Sequence, residues 1–204
     1  MQTPQDEDLG LRDRNTKDRR DALVTAAYAL FAEKGYAATT MDDVAARAGL
    51  SRRTAFRYFA TKDELVFPVR DERLASLEAL LVPSAGETPF ATVKRACLAL
   101  ARHYQDDRAR MLAQWRIVES EPALIASELH HDRKSELAIE RAFLGAAPAT
   151  PRARRRARVR ASAVVGAVRA TLREWLEGGA SADLVRLGRE TFAELEEGFG
   201  EEKR

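Results

Sequence analysis

The sequence predicts an all-α protein of about nine helices, with an N-terminal three-helix helix-turn-helix domain followed by a larger C-terminal helical body. Apolar residues recur at three- and four-residue spacing along most of the chain. No segment alternates apolar and polar residues as a half-buried strand does. Glycines and prolines interrupt the pattern at helix-length intervals, and no repeat of fixed period appears.

Residues 1–17 are polar and aperiodic and read as a flexible arm. The first helix opens near Asp18. Leu23, Ala26, Ala27, Leu30 and Phe31 share one of its faces, and Gly35 closes it with Lys34 in the last turn. Thr40 caps a second helix whose inner face is Val44, Ala45 and Ala48. Gly49 ends it by supplying the left-handed backbone that a tight turn needs. Ser51 caps a short third helix, Arg52 to Phe59. Thr61 followed three residues later by Glu64 is a capping-box pattern, and the fourth helix is expected to run to about Leu81. Residues 83–89 form a loop. Further helical segments follow at about 90–104, 107–120, 122–144, 151–176 and 181–199. The expected organisation is an arm at 1–17, a helix-turn-helix domain at 18–64, and a larger helical domain at 65–204, to which the family resemblance described below gives effector binding and dimerisation.

Charge is distributed unevenly. The whole chain carries a formal +2. Between Leu11 and Lys62, however, eleven basic residues face six acidic ones, a net +5, while Asp6, Glu7 and Asp8 make the first ten residues acidic. A small basic end on a nearly neutral body suits a protein that meets a polyanion at one end only. No run of 18 apolar residues exists and no secretory pattern opens the chain, so a cytoplasmic location and no membrane partner are expected. The single cysteine, Cys97, excludes an internal disulfide and a cysteine-based zinc site, and its apolar neighbours mark it as a small buried hydrophobe.

The informative stretch is TTMDDVAARAGLSRRTAFRYFATK, residues 39–62. Two short helices joined by a glycine turn, with small Ala45 and Ala48 at their crossing, suit a helix-turn-helix. The second of these helices would enter the major groove of DNA. Arg52 and Arg53 stand at its start, where a guanidinium can bond guanine O6 and N7 together. Thr54 is short enough to meet a phosphate or a thymine methyl, and Phe56 can lie against thymine methyls. Tyr58 offers a hydroxyl to phosphate, and Lys62 adds a charge. Thr40 sits at a helix N-terminus, which favours an anion. Arg19 and Arg20 are further candidates for phosphate. Arg12, Arg14 and Lys17 in the arm could reach a minor groove or simply remain in solvent.

The segment from Arg19 to Val66 strongly resembles the TetR family of bacterial regulators. The resemblance is carried by Ala27, Leu30, Phe31, Gly35 and Thr40, then by Val44, Ala45, Ala48, Gly49, Ser51, Tyr58, Phe59, Lys62 and Leu65. It implies base contacts for Arg52, Arg53, Thr54 and Phe56, and phosphate contacts for Thr40, Tyr58 and Lys62. Phe56 departs from the tyrosine that many members hold there, which removes one hydroxyl contact to phosphate. Residues 114–127, QWRIVESEPALIAS, resemble the branch containing the mycofactocin-system regulator, which is associated with acyl-CoA-type effectors.

The body offers two further sets of residues. Small and apolar side chains at Val164, Gly166, Ala167, Val168 and Leu172, with Leu184, Gly188, Phe192 and Leu195 in the final helix, suit close helix packing. The resemblance implies a homodimer through the last two helices, which would let two reading heads address a palindromic operator. It also implies a pocket in the intervening helices for a small-molecule effector, hydrophobic or acyl-CoA-like, with Phe90, Leu98, Arg102, His103, Met111, Trp115, Val118 and Phe143 as its candidate lining. The run Arg152, Arg154, Arg155, Arg156, Arg158 and Arg160 either holds an anionic ligand or is a solvated helix start.

No Gly-rich phosphate loop, G-x-S-x-G or H-E-x-x-H pattern is present. His130 and His131 are adjacent and point to different helix faces. No enzyme activity, metal or cofactor is therefore expected. The expected function is a repressor released from double-stranded DNA by its effector; an activator, or a DNA-binding protein without an effector, remains the alternative.

Overall fold

The computed structural model describes residues 4–145 and 150–198, with side chains from residue 15 onward. Among these residues it contains ten helices and no strand: α1 (Pro4–Lys34), α2 (Met41–Arg47), α3 (Arg52–Tyr58), α4 (Lys62–Val66), α5 (Arg70–Leu80), α6 (Pro89–Asp106), α7 (Arg108–Glu119), α8 (Pro122–Leu144), α9 (Pro151–Glu177) and α10 (Leu184–Glu197). No described helix is long and apolar enough to cross a membrane.

The chain divides into two units, Met1–Pro68 with Arg116–Leu124, and Val69–Trp115 with Ile125–Arg204. The first unit therefore extends slightly beyond the 18–64 expected from sequence and takes in a segment from the middle of the chain. Its core is the predicted face of α1 (Leu23, Ala26, Ala27, Leu30 and Phe31), all buried, together with Val44, Ala45, Ala55, Phe59 and Leu65. Where the sequence reads as an arm, the structure continues α1 back to Pro4. The side chains of Arg12 and Arg14 lie outside the described residues.

The expected fourth helix is two. It stops after Val66 and resumes at Arg70. Pro68 is the cause: it has no N–H to give, and its ring would clash with the carbonyl one turn back. Helix α1 partly satisfies the carbonyls freed by this break. The Tyr28 hydroxyl donates to Val66 O at 2.8 Å, and the Arg20 guanidinium donates to Pro68 O. Phe67 and Pro68 are buried.

The second unit has two apolar clusters. One gathers Leu77, Val93, Ala96, Ala138, Ile139, Ala161, Val164 and Phe192, with Phe90 edge-on to Phe192 at 5.9 Å. The other surrounds Trp175 with Met111, Leu176, Ala180 and Leu184. The Trp175 indole N–H is satisfied by Ala182 O at 2.9 Å. Cys97 packs on the first cluster, and burial pushes its thiol up to about 12, so it stays protonated as the small apolar side chain expected.

Candidate nucleic-acid interface

The helix-turn-helix is built by local hydrogen bonds the sequence encodes. The Thr40 Oγ1 accepts from Asp43 N at 3.1 Å while Asp43 Oδ2 accepts from Thr40 N at 2.8 Å, a reciprocal cap on α2. Gly49, at φ 66°, turns the chain, and Leu50 N then donates to Ala45 O at 2.9 Å. Ser51 Oγ accepts from Thr54 N at 3.1 Å and starts α3. Ala55 and Phe59 are fully buried, which fixes the roll of α3 and turns Arg52, Arg53, Phe56 and Arg57 outward.

These exposed residues differ in readiness. Arg53 has no hydrogen bond or ion pair among the described residues. Arg52 is paired: its guanidinium lies 3.2 Å from the Asp42 carboxylate and 5.5 Å from the Phe56 ring centroid. Both members of the pair are more than half exposed, at 70% and 57%. An exposed ion pair contributes about 0.2–1 kcal/mol, whereas a bidentate guanine contact discriminates by about 1–3 kcal/mol. Asp42 therefore competes for Arg52 without withholding it from a base. Phe56 is 41% exposed, so part of its ring is free to lie against a base. Thr54 shares its hydroxyl with Ser51 at 2.8 Å.

The phosphate candidates separate more sharply. Arg19 is exposed. Tyr58 is half-buried and its phenol is held below its usual pKa, chiefly by a hydrogen bond from Arg57 Nη2 at 3.4 Å. Thr40 is exposed, but its hydroxyl proton is directed at Asp43 Oδ2, 2.7 Å away. Lys62 and Arg20 are engaged internally. The Lys62 ammonium donates to Tyr36 O at 2.7 Å and Thr39 O at 3.0 Å, with Ala37 O at 3.5 Å, and sits 4.0 Å from the Tyr36 ring centroid. All three of its N–H donors face backbone carbonyls. Partial burial lowers its pKa, opposed by Glu121 and Asp63. Arg20 is committed to Pro68 O and lies 5.3 Å from the Phe59 ring centroid. In the free protein these two cations clamp the fold of the first unit.

Arg57 was not singled out by sequence. It stands four residues after Arg53, on the same exposed side of α3, and that spacing was the available signal. Arg47, by contrast, is held by Glu33 in a two-point ion pair at 2.8 and 2.7 Å, and ties α2 to the end of α1.

The structure does not gather the eight candidate effector residues into one site. Phe90 and Phe143 belong to the Phe192 cluster, Met111 and Trp115 to the Trp175 cluster. Leu98 packs so close to Gly188 that a Cβ there would sit 3.0 Å from Leu98 Cδ2. Arg102 and His103 are exposed, and Val118 is buried in the segment belonging to the first unit. A groove of about 570 Å³ in the second unit is lined instead by Glu78, Leu81, Val82, Glu87, Thr92 and Arg141.

The candidate dimer stripe is also redistributed. Val164, Leu184 and Phe192 are buried within one chain's own core, so they have no surface left for a partner. Val168, Leu172 and Leu195 pack partly against those cores. Gly166, Ala167 and Gly188 are half-buried. Periodicity found these packing faces, and for Val164, Leu184 and Phe192 the covering surface is the same chain.

Residues 23–69 match the family described as bacterial regulatory proteins, tetR family, and residues 87–200 match the MftR C-terminal domain. The chain is 35% identical over 134 residues to the HTH-type transcriptional regulator TcmR of Streptomyces glaucescens, covering 62% of this chain and 59% of that protein. Among solved structures, a SmeT–triclosan complex superposes with a TM-score of 0.63 at 21% identity, covering 86% of this chain and 88% of that one. FadR of Thermus thermophilus, a transcriptional repressor solved in complex with lauroyl-CoA, superposes with a TM-score of 0.57 at 20% identity, covering 91% of this chain and 97% of that one.

Proposed function

The chain belongs to the TetR family of bacterial regulatory proteins, and from that premise we propose that it is a cytoplasmic homodimeric regulator that reads a palindromic DNA operator through α3. The observation that carries this reading is an outward α3 presenting an unpaired Arg53 beside an exposed Phe56, on a helix whose opposite side is locked by Ala55 and Phe59. A rigid helix with free donors at its start is what major-groove readout requires. Arg53 and Arg52 are the base-reading arginines, Thr54 and Phe56 their neighbours at the groove floor. Arg19, Arg57, Tyr58 and Thr40 make the phosphate contacts that set register.

The dimer forms on the outer face of α9. Val159 is 61% exposed there, and Ala163 and Ala170 continue the same exposed face with side chains small enough for close helix approach. Release by a small-molecule effector is the regulatory step. Triclosan and lauroyl-CoA in these two solved structures support a hydrophobic or acyl-CoA-like ligand, and the second of those proteins, a transcriptional repressor, supports a repressor's sign.

Selection of bound duplexes from a random pool tests this. A palindromic consensus is expected, and Arg53→Ala is expected to weaken binding to it by about 1–3 kcal/mol. A pool that returns no consensus, or equal affinity in the variant, removes base reading from α3. Binding that survives without any effector-dependent release would favour the effector-independent alternative.

A further inference from the structure

Helices α5, α6, α7 and α8 of the second unit converge around Arg73. Its guanidinium lies 4.8 Å from the Tyr104 ring centroid and donates from Nη2 to Met111 Sδ at 3.1 Å. The side chain is half-buried. A thioether is a weak acceptor and an aromatic face carries only partial negative charge, so neither neutralises the cation. Among the described residues no carboxylate lies within ion-pair distance of it. Of the other arginines nearby, Arg169 pairs with Asp132 at 3.3 Å, and Arg70 donates from Nη1 to Ser127 Oγ at 3.0 Å.

The polar groups around Arg73 are also unspent. Gln114 stands one turn along α7 from Met111, is 6% exposed, and its Oε1 is buried with no partner. On α8, His131 Nδ1 is likewise buried with no partner. Burial, reinforced by Arg70 and Lys134, pushes that imidazole down to about 4, so it is neutral at pH 7 with one N–H to donate. The Tyr104 hydroxyl makes no hydrogen bond among the described residues, and burial raises its pKa and keeps it a donor. Native proteins rarely leave buried polar atoms unpaired, and two of them, Gln114 Oε1 and His131 Nδ1, on the helices that pack about an uncompensated cation mark a place where a ligand supplies the partners.

We propose that Arg73, Tyr104, Gln114 and His131 form the polar end of the effector site, and that the effector is a monoanionic carboxylate on an apolar body. This rests on the reading of the chain as a ligand-responsive regulator and names the ligand class. A planar guanidinium fork matches a carboxylate. Asp132 and Glu128 are close enough to act on Tyr104, and Arg70 and Lys134 on His131, so the surrounding charges offset one another and Arg73 is left to meet a single negative charge. The apolar body would lie against Trp115 and Leu112, which pack beside Tyr104 on the Trp175 cluster.

The test uses the full chain with octanoate and benzoate, their methyl esters, and inorganic phosphate as probes, read by thermal unfolding and by fluorescence of the two tryptophans. At least one carboxylate is expected to raise Tm and alter the emission while its ester does not. Arg73→Gln is expected to weaken that binding at least tenfold, and the exposed control Arg108→Gln to leave it unchanged. Arg73→Met in the unliganded protein is expected to keep or raise Tm, because an uncompensated cation does not serve stability; a clear fall would make Arg73 structural and overturn the proposal. Gln114→Leu provides a second test of the same site. Esters that act as well as acids, carboxylates without effect, or equal binding by Arg73→Gln and Gln114→Leu overturn the proposal. Stabilisation by phosphate alone overturns the carboxylate assignment. If wild type still selects an operator while the carboxylates do nothing, only this inference falls; if no operator is selected, the regulator reading falls.

Discussion

Asp42→Asn is predicted to tighten operator binding. In the free protein the Asp42 carboxylate holds Arg52 at 3.2 Å, and both side chains are mostly exposed. Arg52 must leave that pair to meet a base. An exposed pair of this kind is worth about 0.2–1 kcal/mol, and 1.4 kcal/mol is tenfold in affinity, so releasing Arg52 should lower Kd by about 1.4- to 5-fold. Removing a negative charge that faces the phosphates acts in the same direction. Asparagine keeps a hydrogen-bonding side chain in the first turn of α2, and the reciprocal cap between Thr40 and Asp43 is untouched. The measurement is fluorescence anisotropy on a selected operator duplex at fixed salt, repeated in the Arg52→Ala background. In that background the gain from Asp42→Asn should shrink, because the pair no longer exists to be released. Weaker binding by Asp42→Asn alone would refute this account: it would mean that Asp42 aims Arg52 at its base instead of competing for it.

Lys62→Met should lower the stability of the first unit and weaken binding to all duplexes alike, yet leave the slope of affinity against salt unchanged; a slope reduced by about one would return Lys62 to the phosphate. Gly49→Ala should cost about 1–2 kcal/mol by thermal unfolding, because φ 66° disfavours any side chain although the space for a Cβ is open. No loss of stability there would contradict the turn geometry. Phe192→Ala should cost about 3–5 kcal/mol of fold stability as a core truncation. Val159→Arg, on the exposed face of α9, should instead yield a folded monomer by sedimentation; a dimer that survives Val159→Arg moves the interface elsewhere.

The reading head was legible because its determinants are local. Thr40, Gly49 and Ser51 act on backbone groups within five residues, and that grammar is visible in a linear string. The break between α4 and α5 was equally visible in Pro68, though the apolar periodicity on either side masks it. The internal partners of Lys62 and Arg20 were not legible, for a different reason. Their carbonyl partners lie 23 to 26 and 48 residues away, and nothing in a basic side chain announces whether it will meet phosphate or a distant carbonyl. The stripe on the last helices shows the same limit: the spacing of Val164 and Phe192 specifies a buried face, and it is silent on whether the covering surface is the same chain or a second copy. The eight effector candidates scattered because six were chosen as apolar residues of one region and Arg102 and His103 as polar neighbours in sequence, and the unpaired polar atoms of Gln114 and His131 become visible only once burial is known.

The assignment of Arg116–Leu124 to the unit that carries α3 has a consequence for biosynthesis. Ile117, Val118 and Leu124 are apolar and buried, so a fragment ending at Pro68 lacks part of what that unit contains. As the chain leaves the ribosome, the apolar surface that this segment covers is expected to stay open until Leu124 has been synthesised. A grafted head cut at residue 68 inherits that unfinished state permanently, and a chimera meant to transfer the operator preference of this protein would have to carry the distant segment along with it.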